Sequence, residues 1–228
     1  MTKPLFELPR TTLPIAGEDA VFPVRRVYCV GRNYAAHAAE MGANPAEDPI
    51  FFMKPGDAVA LAIGAIPFPG DTGELHHEVE LVLALGEGGR DLAPEAAEAL
   101  IYGYAVGIDL TKRDRQAEAK AAGAPWERAK SFDRSALVTM IRPAARFGHI
   151  RSGPIWLSID GQQRQSADLS EMVWNPANII ARLSRIWALA PGDLIFTGTP
   201  AGVGPIRPGD LVVAGIGEVG RIEMRIGG

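Results

Sequence analysis

Cysteine is almost absent: Cys29 is the single one among 228 residues. No disulfide can form within the chain, and a thiolate metal cluster needs more sulfur than one side chain supplies. A basic excess is absent as well. Lys and Arg number 23 against 27 Asp and Glu, for a net charge of −4. That excludes the electropositive footprint of a nucleic-acid binder and attraction to an anionic membrane surface. No run approaches the roughly 20 apolar residues that cross a bilayer before a charge or a proline interrupts it. The opening Met1-Thr2-Lys3-Pro4-Leu5-Phe6-Glu7-Leu8-Pro9 lacks the apolar core of a secretory signal. The expectation is a soluble cytoplasmic protein. What the chain does have is 47% hydrophobic residues, 26 Gly and 18 Pro, enough for one substantial core interrupted by many turns.

Residues 1–23 are punctuated by proline and read as an irregular or short-stranded lead-in, followed by a single strand-rich α+β domain over 24–228. Arg25 to Val30 reads as a strand ending at Gly31. Asn33 then caps a helix over Tyr34 to Met41, with Gly42 as its left-handed stop. Val79 to Leu85 is a strand beginning a residue or two earlier. Pro94 opens a helix running to Tyr102, and Tyr104 to Leu110 returns as a strand. Thr111 with Asp114 resembles a capping box for a helix through Ala122, stopped by Gly123. Asp160-Gly161 predicts a hairpin between Ile155–Ile159 and 162–165. Asn175 and Pro176 start a helix whose Ile179, Ile180, Leu183, Ile186 and Trp187 form one apolar face. Pro191-Gly192-Asp193 and Pro208-Gly209-Asp210 are two tight turns, each feeding a strand.

The chemistry concentrates in His76-His77-Glu78-Val79-Glu80-Leu81. Side chains alternate along a strand, so Glu78 and Glu80 share a face. Two neighbouring anions on a half-buried strand repel, and burying either unpaired costs several kcal/mol. A hard divalent cation removes both penalties. A solvated strand with the acids paired to Lys or Arg is the alternative. In Tyr104-Ala105-Val106-Gly107-Ile108-Asp109, the small residues share a face with Asp109 and predict space for something other than protein. Glu78, Glu80 and Asp109 together would offer three oxygen ligands, suited to Mg²⁺ or Mn²⁺. Alternatively, Asp109 simply caps the next helix.

His37 and Glu40 stand three apart among alanines and share a helical face. A carboxylate beside an imidazole fixes its tautomer and improves it as a general base; an exposed surface pair is the other reading. Arg113, Gln116 and Lys120 share a later helical face, where Arg113 and Gln116 could grip a small carboxylate, while Lys120 reads as solvated. Thr197-Gly198-Thr199-Pro200-Ala201-Gly202-Val203-Gly204 lacks the Lys-Ser/Thr end of a phosphate loop and reads as a turn presenting Thr199. Cys29 reads as an inert buried thiol, and the four tryptophans as packing residues.

Five segments in this order resemble the fumarylacetoacetate hydrolase family, in its short acylpyruvase and fumarylpyruvate hydrolase branch. They are Val30-Gly31-Arg32-Asn33-Tyr34-Ala35-Ala36-His37, His77-Glu78-Val79-Glu80-Leu81, Gly107-Ile108-Asp109-Leu110-Thr111-Lys112-Arg113-Asp114, Ala129-Lys130-Ser131-Phe132-Asp133 and Thr197 to Gly204. The resemblance implies a mixed β-sandwich roll with a few short helices, and usually a homodimer. It implies Mg²⁺ or Mn²⁺ on Glu78, Glu80 and Asp109, with Asn33 where a fourth acid is found in full-length relatives. It further implies His37 and Glu40 as the water-activating pair, and Arg113, Gln116, Lys130 and Thr199 around the substrate, with Lys130 also catalytic as oxyanion stabiliser. The implied reaction is hydrolysis of a carbon–carbon bond in a 2,4-dioxo acid, fumarylpyruvate giving fumarate and pyruvate. The alternative on the same site is decarboxylation of oxaloacetate, or isomerisation and decarboxylation of a dioxo acid.

Overall fold

The computed structural model describes residues 3–42 and 48–228. Its centre is a mixed sheet that runs in the order Ile50–Pro55, Arg26–Gly31, Leu194–Phe196, Val79–Leu85, Ile101–Asp109, Ala136–Val138, Val59–Leu61, with Arg142–Pro143 beside Ile101–Asp109. A five-stranded sheet of Gln162–Asp168, Pro154–Ile159, Leu211–Ile216, Gly220–Gly227 and Ile63–Pro67 packs across it. Both sheets mix parallel and antiparallel neighbours: Leu194–Phe196 runs parallel to Arg26–Gly31, and Gly220–Gly227 parallel to Ile63–Pro67. A small third sheet joins Thr111–Lys112, Leu75–His77 and Gly204–Ile206. This strand-rich roll with short helices is the architecture the sequence resemblance implies.

The large sheet is covered on both faces, and Val79–Leu85 is buried along its whole length. Leu81, Leu83 and Leu85 meet Leu157 and Ile222 of the second sheet and Ile179, Ile180 and Leu183 of helix Pro176–Ile186. On the opposite face, Val82 and Ala84 pack with Cys29, Ala105 and Phe196, and with Leu13 and Phe22. The last two come from short strands Thr12–Pro14 and Val21–Pro23 of the lead-in. Cys29 is fully buried and burial pushes its thiol pKa up, which leaves it inert.

Several local expectations are corrected. Helix Ala35–Glu40 begins at Tyr34 with no side-chain cap. Asn33 is used elsewhere: its Nδ2 donates to Thr197 O at 2.7 Å and Trp174 O at 3.0 Å, and its Oδ1 accepts from Trp174 N at 2.7 Å. It staples two distant loops, a demand that outranks a cap. The helix at Pro94 stops at Ala97 and continues as one 3₁₀ turn to Leu100. The strand then starts at Ile101, because Ile101-Tyr102 is β-prone and Gly103 admits the Arg142 backbone, whose carbonyl would stand 2.5 Å from an added Cβ. Helix Arg113–Ala122 starts after a short strand at Thr111–Lys112, with Lys112 as an uncapped N-cap. Asp114 instead accepts from Thr72 Oγ1 at 2.6 Å. Ile186 is exposed rather than part of its helix's buried face.

Other turns behave as expected. Asp160 and Gly161 both have positive φ, as a type I′ hairpin requires. Asn175 caps its helix by accepting from Asn178 N at 3.0 Å, and Gly123 closes Arg113–Ala122 in the left-handed region.

Candidate active site

Strand register assembles the acids. Val79 lies opposite Ile108 and Glu80 opposite Gly107, so Glu78 and Asp109 come abreast at one end of the large sheet. Asp109 N donates to Glu78 O at 2.9 Å, which locks that alignment. Ligand oxygens of Glu78, Glu80 and Asp109 all lie within 4.8 Å of one another, and all three residues are buried. The space predicted beside Gly107 is filled by protein: a Cβ there would meet Val82 at 2.5 Å and Phe196 at 2.6 Å. Asp109, at the strand end, lines the cleft, whereas Ala105 and Gly107 do not.

Three cations answer two of the three acids, Glu78 and Asp109. Lys130 Nζ donates to Glu78 Oε2 at 2.7 Å, Asp109 Oδ2 at 2.9 Å and Thr111 Oγ1 at 2.6 Å, which uses all three ammonium hydrogens. Arg113 Nη2 donates to Glu78 Oε1 at 2.6 Å, and its Nη1 to Gln116 Oε1 at 2.5 Å. With that oxygen engaged, the Gln116 amide keeps its NH₂ for the cleft. Lys54 Nζ stands 2.8 Å from Asp109 Oδ1, outside hydrogen-bond angles, while it donates to the Leu110 and Lys130 carbonyls.

The electrostatics are uneven. Burial alone would raise the Glu78 pKa, but the charges of Lys130 and Arg113 outweigh it and hold this carboxyl well below the usual carboxylate range. Lys130 is raised, since Asp109 and Glu78 more than offset its burial. Glu80 goes the other way: burial, then the Asp109 and Glu78 charges, push it well up. Among the described residues it forms no ion pair, and its hydrogen bond is from Gly198 N at 2.6 Å. A carboxyl with excess negative charge around it and an Asp109 oxygen with no hydrogen bond are what a cation would satisfy. An all-oxygen trio suits a hard divalent ion. The donor set therefore fits Mg²⁺ or Mn²⁺.

A narrow cleft of about 50 Å³ opens above these acids. Its walls include His37, Arg113, Gln116, Lys130 and Thr199. His37 is 7% exposed, and its Nδ1 lies 3.1 Å from Glu40 Oε2. Glu40 also accepts from Gly202 N at 3.3 Å, which ties the helix to the Thr197–Gly204 turn. Thr199 is less free than the sequence suggests. Its Oγ1 accepts from Gln165 Nε2 at 2.7 Å and donates to Val79 O at 2.8 Å.

Sequence reasoning passed over three contributors. Lys54 is a lone charge at the end of the apolar run Ile50-Phe51-Phe52-Met53, on the same strand, and that was its signal. Gln165 binds Thr199, Val79 N at 3.1 Å and His77 Nδ1 at 2.9 Å, and nothing in its exposed-looking hairpin announces this. Trp126, expected to serve packing, lines the cleft beside Phe52, the ring centroids 5.9 Å apart. Lys120, expected in solvent, stands exposed at the rim of the same cleft.

The fumarylacetoacetate (FAA) hydrolase C-terminal family model matches residues 26–227. This chain belongs to the fumarylacetoacetate hydrolase family. Among solved structures, it is similar to fumarylpyruvate hydrolase from Pseudomonas aeruginosa, in complex with Mn²⁺ and pyruvate. Identity there is 46%, 99% of each chain is covered, and the TM-score is 0.96. Among curated relatives, oxaloacetate tautomerase YcgM of Escherichia coli (strain K12) is 42% identical over 190 residues, 83% of this chain and 87% of the relative. The mitochondrial oxaloacetate decarboxylase of Dictyostelium discoideum is 38% identical over 193 residues, 84% of this chain and 88% of the relative. The family's enzymes thus share a scaffold across hydrolase, tautomerase and decarboxylase chemistry. No described helix is long and apolar enough to cross a membrane.

Proposed function

We propose that this chain is a divalent-metal-dependent hydrolase that cleaves a carbon–carbon bond in a 2,4-dioxo acid, with fumarylpyruvate, giving fumarate and pyruvate, as substrate. The observation that carries the reading is His37, backed by Glu40, lining the same cleft as the three acids, because cleavage by water needs a base and these acids supply none that is unencumbered.

Mg²⁺ or Mn²⁺ held by Glu78, Glu80 and Asp109 would act as a Lewis acid, absorbing negative charge that develops on the keto-acid end. Glu40 accepts from His37 Nδ1–H, and that tautomer leaves Nε2 as the basic lone pair. His37 removes a proton from water, and the water oxygen forms a new bond to the distal carbonyl carbon. The bond to the neighbouring methylene then breaks. Its electron pair stays with the pyruvate fragment, whose carbon takes a proton back from His37. Gln116, with its NH₂ open to the cleft, binds the keto-acid carboxylate beside Arg113. Lys130 supplies positive charge next to the reacting carbonyl, and one of its three donors must turn from a carboxylate to the oxyanion for that role. Thr199, held by Gln165, borders the substrate as a fixed wall.

Kinship with the Escherichia coli tautomerase favours a second reading, in which oxaloacetate is the substrate and His37 moves a proton between carbon and solvent without water addition. The two separate in a panel of fumarylpyruvate, acetylpyruvate and oxaloacetate, each assayed with Mg²⁺, with Mn²⁺ and with chelator. Release of pyruvate from an acylpyruvate, abolished by chelator, supports the hydrolase. Turnover of oxaloacetate alone supports the second reading. The proposal extends to a cytoplasmic homodimer, to be checked by fractionation and sedimentation velocity.

A further inference from the structure

Positive charge continues up one wall of the cleft beyond the groups that the acids occupy. Arg113, Gln116 and Lys120 recur at helical spacing on one face of helix Arg113–Ala122, and all three line the cleft. At 1.5 Å per residue, Lys120 stands about 6 Å beyond Gln116 and about 10 Å beyond Arg113 along the axis. Its ammonium lies over the Trp126 ring, 5.5 Å from the centroid. Among the described residues it forms no ion pair, and burial, then the charges of Arg113 and Arg32, lower its pKa. Arg32, just ahead of helix Ala35–Glu40, lines the same cleft. Phe52 and Trp126, their rings inclined at 59°, add aromatic surface to the same cleft.

We infer that Lys120, supported by Arg32 and seated on Trp126, is a distal carboxylate subsite that selects dioxo acids bearing a terminal carboxylate several carbons from the keto-acid end. The inference rests on the hydrolase reading above and names its substrate class. Length decides the match. In a seven-carbon dioxo diacid, six C–C bonds of about 1.5 Å separate the two carboxyl carbons, a span of about 7 Å when extended. With the keto-acid carboxylate at Gln116, the second carboxylate falls at Lys120. Oxaloacetate, with its carboxyl carbons three bonds and about 4 Å apart, is too short to bridge the two. The planar, conjugated middle of an unsaturated acyl group passes along the aromatic surface of Phe52 and Trp126.

The test is the ratio of kcat/KM for fumarylpyruvate over acetylpyruvate, which carries a methyl group in place of the whole carboxyvinyl arm. It is measured for the Mn²⁺-loaded wild type, Lys120→Met and Lys120→Arg. The ratio is expected to fall about tenfold in Lys120→Met, through KM rather than kcat, and to recover in Lys120→Arg. An unchanged ratio in Lys120→Met overturns the inference, as does a loss that arginine does not restore. Should the wild type hydrolyse neither acylpyruvate, the hydrolase reading falls by itself. The subsite is then read from binding of the same two compounds to Mn²⁺-loaded protein by calorimetry. Selectivity for the diacid that Lys120→Met abolishes supports it; equal binding of both compounds, or selectivity that survives the substitution, overturns it.

Discussion

Lys130→Met isolates the ammonium that holds the acids together. Methionine keeps most of the side-chain stem, which passes over Phe52 with Lys130 Nζ 5.1 Å from the ring centroid, and removes only the charge and its donors. Contacts at 2.7 Å to Glu78, 2.9 Å to Asp109 and 2.6 Å to Thr111 vanish in a site where the ammonium side chain is 3% exposed. Removing one partner of a buried ion pair costs about 3–5 kcal/mol. Protonation of a carboxyl, most readily Glu80 with its raised pKa, brings the loss toward the lower end. In chelator the variant should unfold about 6–12 °C below wild type, on the basis of about 2–4 °C per kcal/mol for a chain this size. Mn²⁺ should then recover more stability in the variant than in wild type, because the ammonium and the cation compete for the same oxygens. A ligand at 100 times its Kd contributes about 2.7 kcal/mol, so the difference is measurable by calorimetric melting. A loss below about 1 kcal/mol in chelator, or equal Mn²⁺ increments, would refute the view that Lys130 balances this carboxylate cluster.

His37→Ala should lower kcat by about 10²–10⁴, while Mn²⁺ binding, followed by titration calorimetry, stays within twofold of wild type. Glu80→Gln keeps the Gly198 contact but removes an anionic ligand, so Mn²⁺ affinity should drop at least tenfold, and activity should return only at high Mn²⁺. Asn33→Ala strips three hydrogen bonds from two loops at once. A loss of about 1–3 kcal/mol in urea unfolding is expected for the buried groups left unpaired. Gly198→Ala must place a Cβ 2.7 Å from Asn33 Cβ at φ 96°; it should both destabilise the protein and weaken Mn²⁺ binding, since Gly198 N orients Glu80.

Several local readings hold in the structure. Alternation put Glu78 and Glu80 on one face, helical spacing joined His37 to Glu40, and Asp160-Gly161 marked its hairpin, since each depends on residues within about one turn. The boundaries that moved were those where distant partners intervened: Gly103 makes room for the Arg142 backbone, and Asn33 serves Trp174 and Thr197 in place of its own helix.

The linear order of residues was sufficient for the family, the strand-rich roll and the choice of three acids that the fold brings together, because motif order and short-range periodicity are carried by residue type and spacing. Only the folded chain decided that Lys54 and Lys130, from separate segments, pair with Glu78 and Asp109 and leave Glu80 without a cation, and that Gln165 holds Thr199. It also decided that the gap beside Gly107 belongs to Val82 and Phe196, and that Lys120 borders the cleft. Pairings of this kind join residues tens of positions apart. Their energies depend on burial and distance, and those exist only once the sheets have closed over one another.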